Sequence, residues 1–525
     1  MHWKRYKELP ANQKYDETYY ILGLDIGNNS TGLSFYNLFE NVSEPIDPSG
    51  GYGKPSIPTV MQYIAETKEW VFGEYALLNQ GAGTEVTLQA LTKRLGQMEY
   101  LEIDGKPMSV AALLGLFIRD LLASVRNINP RAEIVGIVGA VPVYLSEAAH
   151  DELIRAFKLA GYEKELIALV PSRECVLTHY YHNLPGETRN VLLLDYGSQE
   201  VRGGVYSIQQ NIALSLSSMF DESIGTAKVD EDVYALFESY YHAAEGHTVE
   251  SNVGQLEAFV YQYKDILFQK NIRTKPAKLY FNFVYPPFQE TITSATAEAL
   301  VMPYRKGFSQ FIRNTLKTLQ PAKLSTTSLS SNTKQLSPQG IDAVICVGGG
   351  FEMLWARETV QDIFSPSQIL IHKNAKLVIA EGAALIAASI LGVSSASHTI
   401  VEDSHRLVID IGFGTDDMFL PLVEQGSFWW QQQEPKLVLV NSPVEGTLSL
   451  PLVGRASTGE TNIITSCNLS LPARPKGTTR LKISVNFSSN TDLTLNIEDI
   501  GFGELYPKID YVKDFTVQLI HGGQT

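Results

Sequence analysis

Asp25 and Asp195 end two apolar runs with a common plan. The first, Tyr19 to Tyr36, reads YYILGLDIGNNSTGLSFY; the second, Val191 to Ile208, reads VLLLDYGSQEVRGGVYSI. In each, a strand ends in Asp-x-Gly, the chain turns tightly and a second strand returns. Such a hairpin gathers backbone N–H groups at its tip, because Gly27 and Gly197 can take conformations other residues resist, and the strand-end Asp points to the same place. A lone Asp at a strand end is often only a turn former. Two in matching frames favour ligand duty, and facing each other they would hold a polyphosphate and its hydrated Mg²⁺. Phosphoryl transfer to water needs charge neutralisation and a placed water, with little covalent help from the protein.

The surrounding elements alternate. After a Pro- and Gly-rich turn (Pro45 to Pro58), TVMQYIAETKEWVFGEYALLNQ reads as two short strands and a helix start. Apolar spacing predicts helices over Met108 to Arg126 and Glu147 to Ala160, with strands Glu133 to Pro142 and Ile167 to Val170 between and after them. Past the second hairpin come helices over Lys228 to Ala244 and Gly254 to Gln269, strands Ala277 to Val284 and Glu290 to Thr293, and a helix from Thr296 to Leu319. Leu324 to Gly340 is Ser/Thr-rich and reads as an exposed loop. IDAVICVGGG then runs a strand into Gly348, Gly349 and Gly350 ahead of the helix FEMLWARETVQDIF. That turn suits close approach of a nucleotide's sugar or base, and equally a packing turn. Alternation of this kind argues for α/β lobes with largely buried sheets.

At about His398 the texture changes to short strands: LVIDIG, PKLVLVN, TLSLPLV, NIITSCNLSLP, RLKISVNF and LTLNIEDI. This predicts an all-β domain, a sandwich of two sheets. Asp410-Ile-Gly-Phe-Gly imitates the phosphate hairpin, but two lobes are already complete before it and no α/β alternation follows, so it is assigned to the first strand of the sandwich.

The chain of 525 residues is too long for one core. Its boundaries are read as a polar leader 1–18, lobe I 19–190, lobe II 191–397, a linker 398–405 and the sandwich 406–525. A net charge of -15 argues against nucleic acid or anionic membrane as a partner. Cys175, Cys346 and Cys467 are odd in number and far apart, which fits buried thiols in a reducing compartment better than disulfides or a zinc site. The start MHWKRYK leads into polar ELPANQKYDET, unlike a signal peptide. Leu377 to Val393, the longest apolar stretch, carries Glu381 and several Ala and Gly residues, and reads as a buried helix. A cytoplasmic protein is the expectation.

With these blocks in order, the chain resembles the actin and heat-shock ATPase superfamily, and most of all the seventy-kilodalton heat-shock chaperones of the DnaK type. GLDIGNNSTGLSFY resembles the family's first phosphate loop and LLLDYGSQE its second. KPSIPTVMQYIAETKEWVFGEYALLNQ, TLQALTKRLGQ, AVPVYL, VICVGGGFEML and AEGAALIAASILG resemble intervening and closing segments in the family order. MFLPLVEQGSFW and CNLSLPARPKGTTRLKISVNFSSNTDLTLNIED resemble strands of its substrate-binding sandwich. The likeness runs from roughly Tyr19 to Glu498. It implies a two-lobed actin-like ATPase of ribonuclease-H-like repeats followed by the sandwich. The helical lid that follows the sandwich in the chaperones has no counterpart before Thr525, which implies fast peptide exchange.

The resemblance also implies roles. Asp25 and Asp195 would hold Mg²⁺ with ATP or ADP, Asn28 and Asn29 would replace the family's paired threonines as phosphate donors, and Gly27, Gly197 and Ser198 would line the phosphates. Lys93 aligns with the lysine that polarises the terminal phosphate or attacking water; a surface helix lysine is the equal alternative. Lys264, Gly225, Gly348, Gly349 and Gly350 align with the adenosine pocket. The family's glutamate before Pro-Thr is displaced: VPSREC puts Ser172 there, with Glu174 two positions on. Where the family reads D-L-G-G-G-T-F-D, this chain reads Asp195-Tyr-Gly-Ser-Gln-Glu-Val-Arg202. Glu200 then places negative charge near the phosphates unless Mg²⁺ or Arg202 offsets it. Nucleotide binding with slow or lost hydrolysis is the expectation. Leu448 and Leu450, alternating on one strand, are candidates for a peptide pocket or for core packing, and Phe428, Trp429 and Trp430 for arch residues or core. The implied partners are extended peptide or protein clients and co-chaperones. The rival readings are a nucleotide-gated scaffold, a small-molecule kinase, for which no catalytic Asp on a substrate-side insert is evident, and a filament-forming actin relative, which would lack the sandwich.

Overall fold

The computed structural model describes residues 18–48, 56–78, 86–142, 145, 147–181, 184, 190–209, 212–244, 253–268, 275–317, 337–394, 399–403, 407, 410–414, 419–424, 427, 433–441, 447–455, 461–487, 492–509 and 511–518. They fall into two compact units that divide between Glu402 and Asp403, with Ser215–Phe220 counted in the second.

The first unit opens with strands β1 (Tyr19–Ile26), β2 (Ser30–Asn37), β3 (Val42–Pro45) and β4 (Ser56–Pro58). A small sheet follows, made of β5 (Val60–Ile64), β6 (Glu69–Phe72) and β7 (Val86–Gln89), with α1 (Glu74–Leu78) ahead of β7. The hairpin of β8 (Tyr100–Ile103) and β9 (Lys106–Ser109) leads into α2 (Val110–Ile128), whose first turn is capped by the Ser109 side chain accepting from the Ala112 N–H. Then come β10 (Glu133–Val141), α3 (Glu147–Ala160), β11 (Leu166–Pro171) and α4 (Ser172–Tyr180). The main sheet has the order β11-β10-β1-β2-β3, with β4 also on β2. β1 is antiparallel to β2 and parallel to β10, and β10 is parallel to β11.

The same order recurs. β12 (Asn190–Tyr196), β13 (Val201–Gln209) and β14 (Ile212–Asp221) precede α5 (Thr226–Ala243), α6 (Val253–Tyr263), the hairpin β15 (Ala277–Phe281) and β16 (Phe288–Ile292), and α7 (Ser294–Lys317). β17 (Ala343–Val347), α8 (Leu354–Gln361), β18 (Ile369–Ile371), α9 (Val378–Ile390) and β19 (Ile400–Asp403) complete it. The second sheet runs β18-β17-β12-β13-β14-β19, with β12 antiparallel to β13 and parallel to β17, and β17 parallel to β18. Strand for strand, β12, β13, β14, β17 and β18 repeat β1, β2, β3, β10 and β11. The central strands are buried almost throughout, as a sheet covered on both faces requires.

One core cluster joins the two repeats, taking Ile21, Val138 and Val170 from the first sheet, Val191 and Ile345 from the second, and Cys175, Val378 and Ala383 from α4 and α9. α9, which follows the second sheet in sequence, packs on β1, β2, β10 and α4. Its small residues permit this. A Cβ on Gly23 of β1 would collide with the Ala380 carbonyl oxygen, and one on Gly382 with that of Cys175, so backbone lies directly on backbone.

In the second unit, β20 (Asp410–Gly414), β21 (Phe419–Val423), β22 (Lys436–Val440), β23 (Thr447–Arg455), β24 (Thr461–Ser470), β25 (Thr479–Phe487), β26 (Asp492–Asp499) and β27 (Val512–Gln518) form two antiparallel four-stranded sheets, β21-β20-β23-β24 and β22-β25-β26-β27. Leu452, Cys467 and Leu469 of one and Leu481, Ile483, Leu495 and Ile497 of the other share a single core. The Asp-x-Gly of β20 pairs antiparallel on both sides, with β21 and β23, and so lacks the parallel neighbour that flanks β1 and β12. The arch candidates at 428–430 and most of the Ser/Thr-rich stretch lie outside the described residues, as does the leader up to residue 17. Residues 400–403, within the segment read as a linker, form β19.

Candidate functional site

The two hairpin tips are built alike. The Gly27 N–H donates to the Ser30 carbonyl at 3.1 Å, and the Gly197 N–H donates to the Glu200 carbonyl at 3.0 Å. The glycines serve a purpose other than the one expected from sequence. Neither takes a positive φ; what a side chain would meet is the facing carbonyl, 2.7 Å from a Cβ at Gly27 and 3.1 Å from one at Gly197. The tight turn excludes bulk rather than requiring left-handed backbone.

Asp25 and Asp195, at equivalent positions just inward of the two tips, are brought together. Burial and the Asp195 carboxylate push the Asp25 carboxyl up to about 7, against a smaller opposing pull from Arg202. Asp195 is also raised by burial and lowered by Arg202, whose guanidinium lies 3.9 Å from its carboxylate. A carboxyl pushed up by burial and by a second carboxylate beside it marks a place where a cation would be welcome. The donor set is all oxygen, which suits a hydrated Mg²⁺. Arg202 also clasps the buried Glu200, at 2.7 Å through Nε and 2.5 Å through Nη2, so the acidic residue in the second tip is neutralised from within its own hairpin.

Neighbouring elements press on both tips. The Thr92 hydroxyl donates to Asn28 Oδ1, fixing the 3₁₀ turn Leu91–Arg94 against the first tip. This puts Lys93, exposed and one residue on, beside that tip. Asn29 is exposed, and its carbonyl accepts from the Thr59 N–H at 3.0 Å. At the second tip, the Gly197 and Ser198 carbonyls accept from Thr226 and Ala227 at 3.1 and 2.7 Å, seating the N-terminus of α5 on the turn. A Cβ on Gly225 would lie 2.6 Å from the Ser198 and Gln199 carbonyl oxygens.

The triple glycine packs as a turn. A Cβ on Gly348, at φ 92°, would sit 2.5 Å from the Tyr196 carbonyl and 2.7 Å from Asp195 Oδ1, and one on Gly350 would enter the Tyr196 ring. Gly349 is covered by the side chain of Lys376, which pairs with Glu352 at 2.7 Å. Lys264 pairs with Asp230 of α5 at 2.6 Å. Glu174 is buried in the first turn of α4, and the next residue, Cys175, has its thiol raised by burial and by both Glu174 and Asp25, so the start of α4 borders the carboxylate pair. Lys376 and Asp230 went unassigned by sequence reasoning, and Cys175, read there as a buried thiol, is one, but its place beside the pair was not foreseen; Lys376 in particular lies more than twenty residues past the turn it covers, with no local signal.

Leu448 and Leu450 are half-buried and pack against the core of the second unit. They pair with Leu469 and Cys467 of β24, whereas β20 pairs only with Leu452 to Arg455. Among the described residues, the first half of β23 therefore carries a strand partner on one side only.

Compared with known proteins, the chain is similar to the "Chaperone protein DnaK" of Thermosipho africanus (strain TCF52B), 19% identical over 492 residues that span 92% of this chain and 79% of that protein. The DnaK of Thermotoga maritima is 19% identical over 496 residues, with the same shares of each chain covered. Residues 44–220 match a family described as "Family of unknown function (DUF5716) C-terminal", and residues 404–519 a "Domain of unknown function (DUF8552)". At that coverage the similarity to DnaK reaches into both units. No helix among the described residues is long and apolar enough to cross a membrane.

Proposed function

We propose that the chain is a nucleotide-controlled polypeptide binder of the DnaK kind, a divergent one, with Mg²⁺-ATP or ADP held between the two Asp-x-Gly hairpins. The observation that carries this is the pairing of Asp25 with Asp195 at equivalent places in two sheets of one strand order. The mixed α/β unit is read as the two-lobed actin-like ATPase, and the two four-stranded sheets as a substrate-binding sandwich.

The residues present fit such a ligand. The carboxylates would anchor the hydrated metal, which supplies charge neutralisation at the phosphates when bound. The N–H groups of Asn28, Asn29, Ser198 and Gln199 crown the two tips as phosphate donors. Lys93 stands beside the first tip, where a cation would meet the terminal phosphate. On the adenosine side, Gly225 and Gly350 pack against the second tip and the Tyr196 ring, Gly349 lies under the Lys376 side chain, which an adenosine there would have to displace, and Lys264 must share its ammonium with Asp230. Chemistry is where the reading departs from an ordinary chaperone. Ser172 replaces the acidic residue expected at that strand end, Glu174 is buried in the first turn of the helix, and the second tip carries Ser198, Gln199 and Glu200. The site is built to hold charge and poorly equipped to place a water, which supports binding with slow hydrolysis.

Leu448 and Leu450 support client binding, since an extended peptide would add along the side of the first half of β23 that has no strand partner among the described residues and rest apolar side chains on them. Calorimetric titration with ATP and Mg²⁺ tests the first claim. Wild type should bind, and Asp25→Ala and Asp195→Ala should each lose binding; equal binding by all three would defeat it. Phosphate release in the same samples separates a switch from an ATPase. Anisotropy of a labelled extended apolar peptide, with and without ATP, separates a client binder from a nucleotide-gated scaffold, which would leave the peptide free.

A further inference from the structure

Away from the carboxylate pair, His179, His372 and Glu381 converge from three separate elements. His179 lies in the last turn of α4, His372 directly follows β18, and Glu381 is in the first turn of α9. One ligand atom from each lies within 4.8 Å of the others. Glu381 is 3% exposed, and its Oε2, like Nδ1 of His179, is buried without a hydrogen-bond partner. The two atoms stand 3.4 Å apart. Buried polar atoms are nearly always satisfied, because leaving one bare costs about 1–3 kcal/mol, so two facing each other call for an explanation.

We propose that these three side chains form a binding site for a transition-metal dication, with Zn²⁺ as the fitting ion. Two imidazoles and one carboxylate are a borderline donor set that favours Zn²⁺ over Mg²⁺, with a fourth position left for water. A tetrahedral ion with bonds of about 2.0–2.1 Å sets its ligands about 3.3–3.4 Å apart, which His179 Nδ1 and Glu381 Oε2 already satisfy. His372 closes the remaining gap by side-chain adjustment. Its Nδ1 is 3.3 Å from the Asn374 carbonyl and 3.2 Å from the Asn374 N–H. Metal at Nε2 selects the tautomer in which Nδ1–H donates to that carbonyl, the usual outer support of a ligating histidine. The ion would pin the last turn of α4 to α9, one helical turn beyond Cys175. The site is distinct from the Asp25–Asp195 pair and stands or falls without it.

The test uses the full untagged chain, dialysed against chelator and then titrated with Zn²⁺ alone by calorimetry, with metal content read by mass spectrometry. Wild type should take one ion per chain with micromolar or tighter affinity. His372→Gln and Glu381→Gln, which keep volume and polarity, should each weaken that binding more than about tenfold, as loss of a ligand does. Circular dichroism on each variant checks the fold. Co²⁺ in place of Zn²⁺ should give intense visible bands in wild type that both variants lose. Equal Zn²⁺ uptake by wild type and variants would place the ion elsewhere and overturn the proposal. No uptake by wild type would overturn it too, leaving a strained His–Glu pair.

Discussion

Removing the charge of Asp25 should stabilise the metal-free protein, increasingly as pH rises from about 4 to 7. The folded carboxyl titrates at about 7 against an ordinary 3.8, raised first by burial and then by Asp195. Between those values the native state holds a proton that the unfolded chain has released, so stability falls as pH rises through the window and levels off above it. Every tenfold change in proton affinity is worth about 1.4 kcal/mol, and solvent at the half-buried carboxyl trims the total, giving about 2–4 kcal/mol lost by pH 8. Asp25→Asn keeps the shape and cannot ionise. In chelator-containing buffer, urea denaturation from about pH 3.5 to 8.5 should show wild type and variant nearly alike at the acid end, below the unfolded carboxyl's ordinary 3.8. The variant should be the more stable by pH 8, with the difference growing most steeply near about pH 5 to 6, midway between the two titrations. Mg²⁺ with ATP should narrow the gap at pH 8 by stabilising wild type alone. A flat difference across pH, or a variant weaker than wild type at pH 8, would refute the reading that the two carboxyls repel one another at a cation site.

Arg202→Met should cost about 3 kcal/mol in urea denaturation, because it strands the buried Glu200, and adding Glu200→Gln should recover most of that loss. In the second unit, Arg474 forks onto Asp499 at 2.9 and 2.8 Å with both side chains buried, so Arg474→Met should destabilise that unit by about 3–5 kcal/mol, read as an early transition by calorimetric scanning. Gly23→Ala should lower folded yield sharply or shift the melting point by many degrees, since its Cβ has only the Ala380 backbone to enter. Gly105→Ala, with open space but φ +72°, should cost only about 1 kcal/mol in the same assay.

Sequence carried the elements that announce themselves locally. The 14-residue helix Glu147–Ala160 falls where its apolar spacing put it, and β10 ends one residue before the predicted Pro142. Elements whose pattern is interrupted were lost: β14 begins just after a polar Gln-Gln-Asn, and β27 alternates Val, Phe and Val among charged residues that its place at a sheet edge tolerates. The hairpin tips were legible because two copies stood in one chain, each supporting the other. The reason for Gly27 was not, since the carbonyl of Ser30 that excludes a side chain is visible only once the turn is closed. Nor could sequence show that Lys376 would lie across Gly349, or that His179, His372 and Glu381 would meet. Those three are separated by about 190 residues in one step and nine in the other, and only the fold lays α9 back onto α4.

On the proposed reading, the second hairpin is a phosphate loop that carries fewer glycines than the family pattern and still keeps its turn. Gly197 closes on the Glu200 carbonyl as Gly27 closes on Ser30, so the backbone path survives with Ser198, Gln199 and Glu200 in the tip. The acidic newcomer is answered two residues later by Arg202, which reaches both Glu200 and Asp195. This double engagement limits the chemistry open to Arg202. A guanidinium committed to the buried Glu200 is held in its own hairpin, where it offsets the charge of Asp195 and favours its ionised form. Under the proposed function, Arg202 would preserve the capacity to hold a metal nucleotide, and the transition-state charge of hydrolysis would be left to Lys93, which stands exposed beside the other tip. A site arranged in this way would separate binding from turnover by the residues it retains.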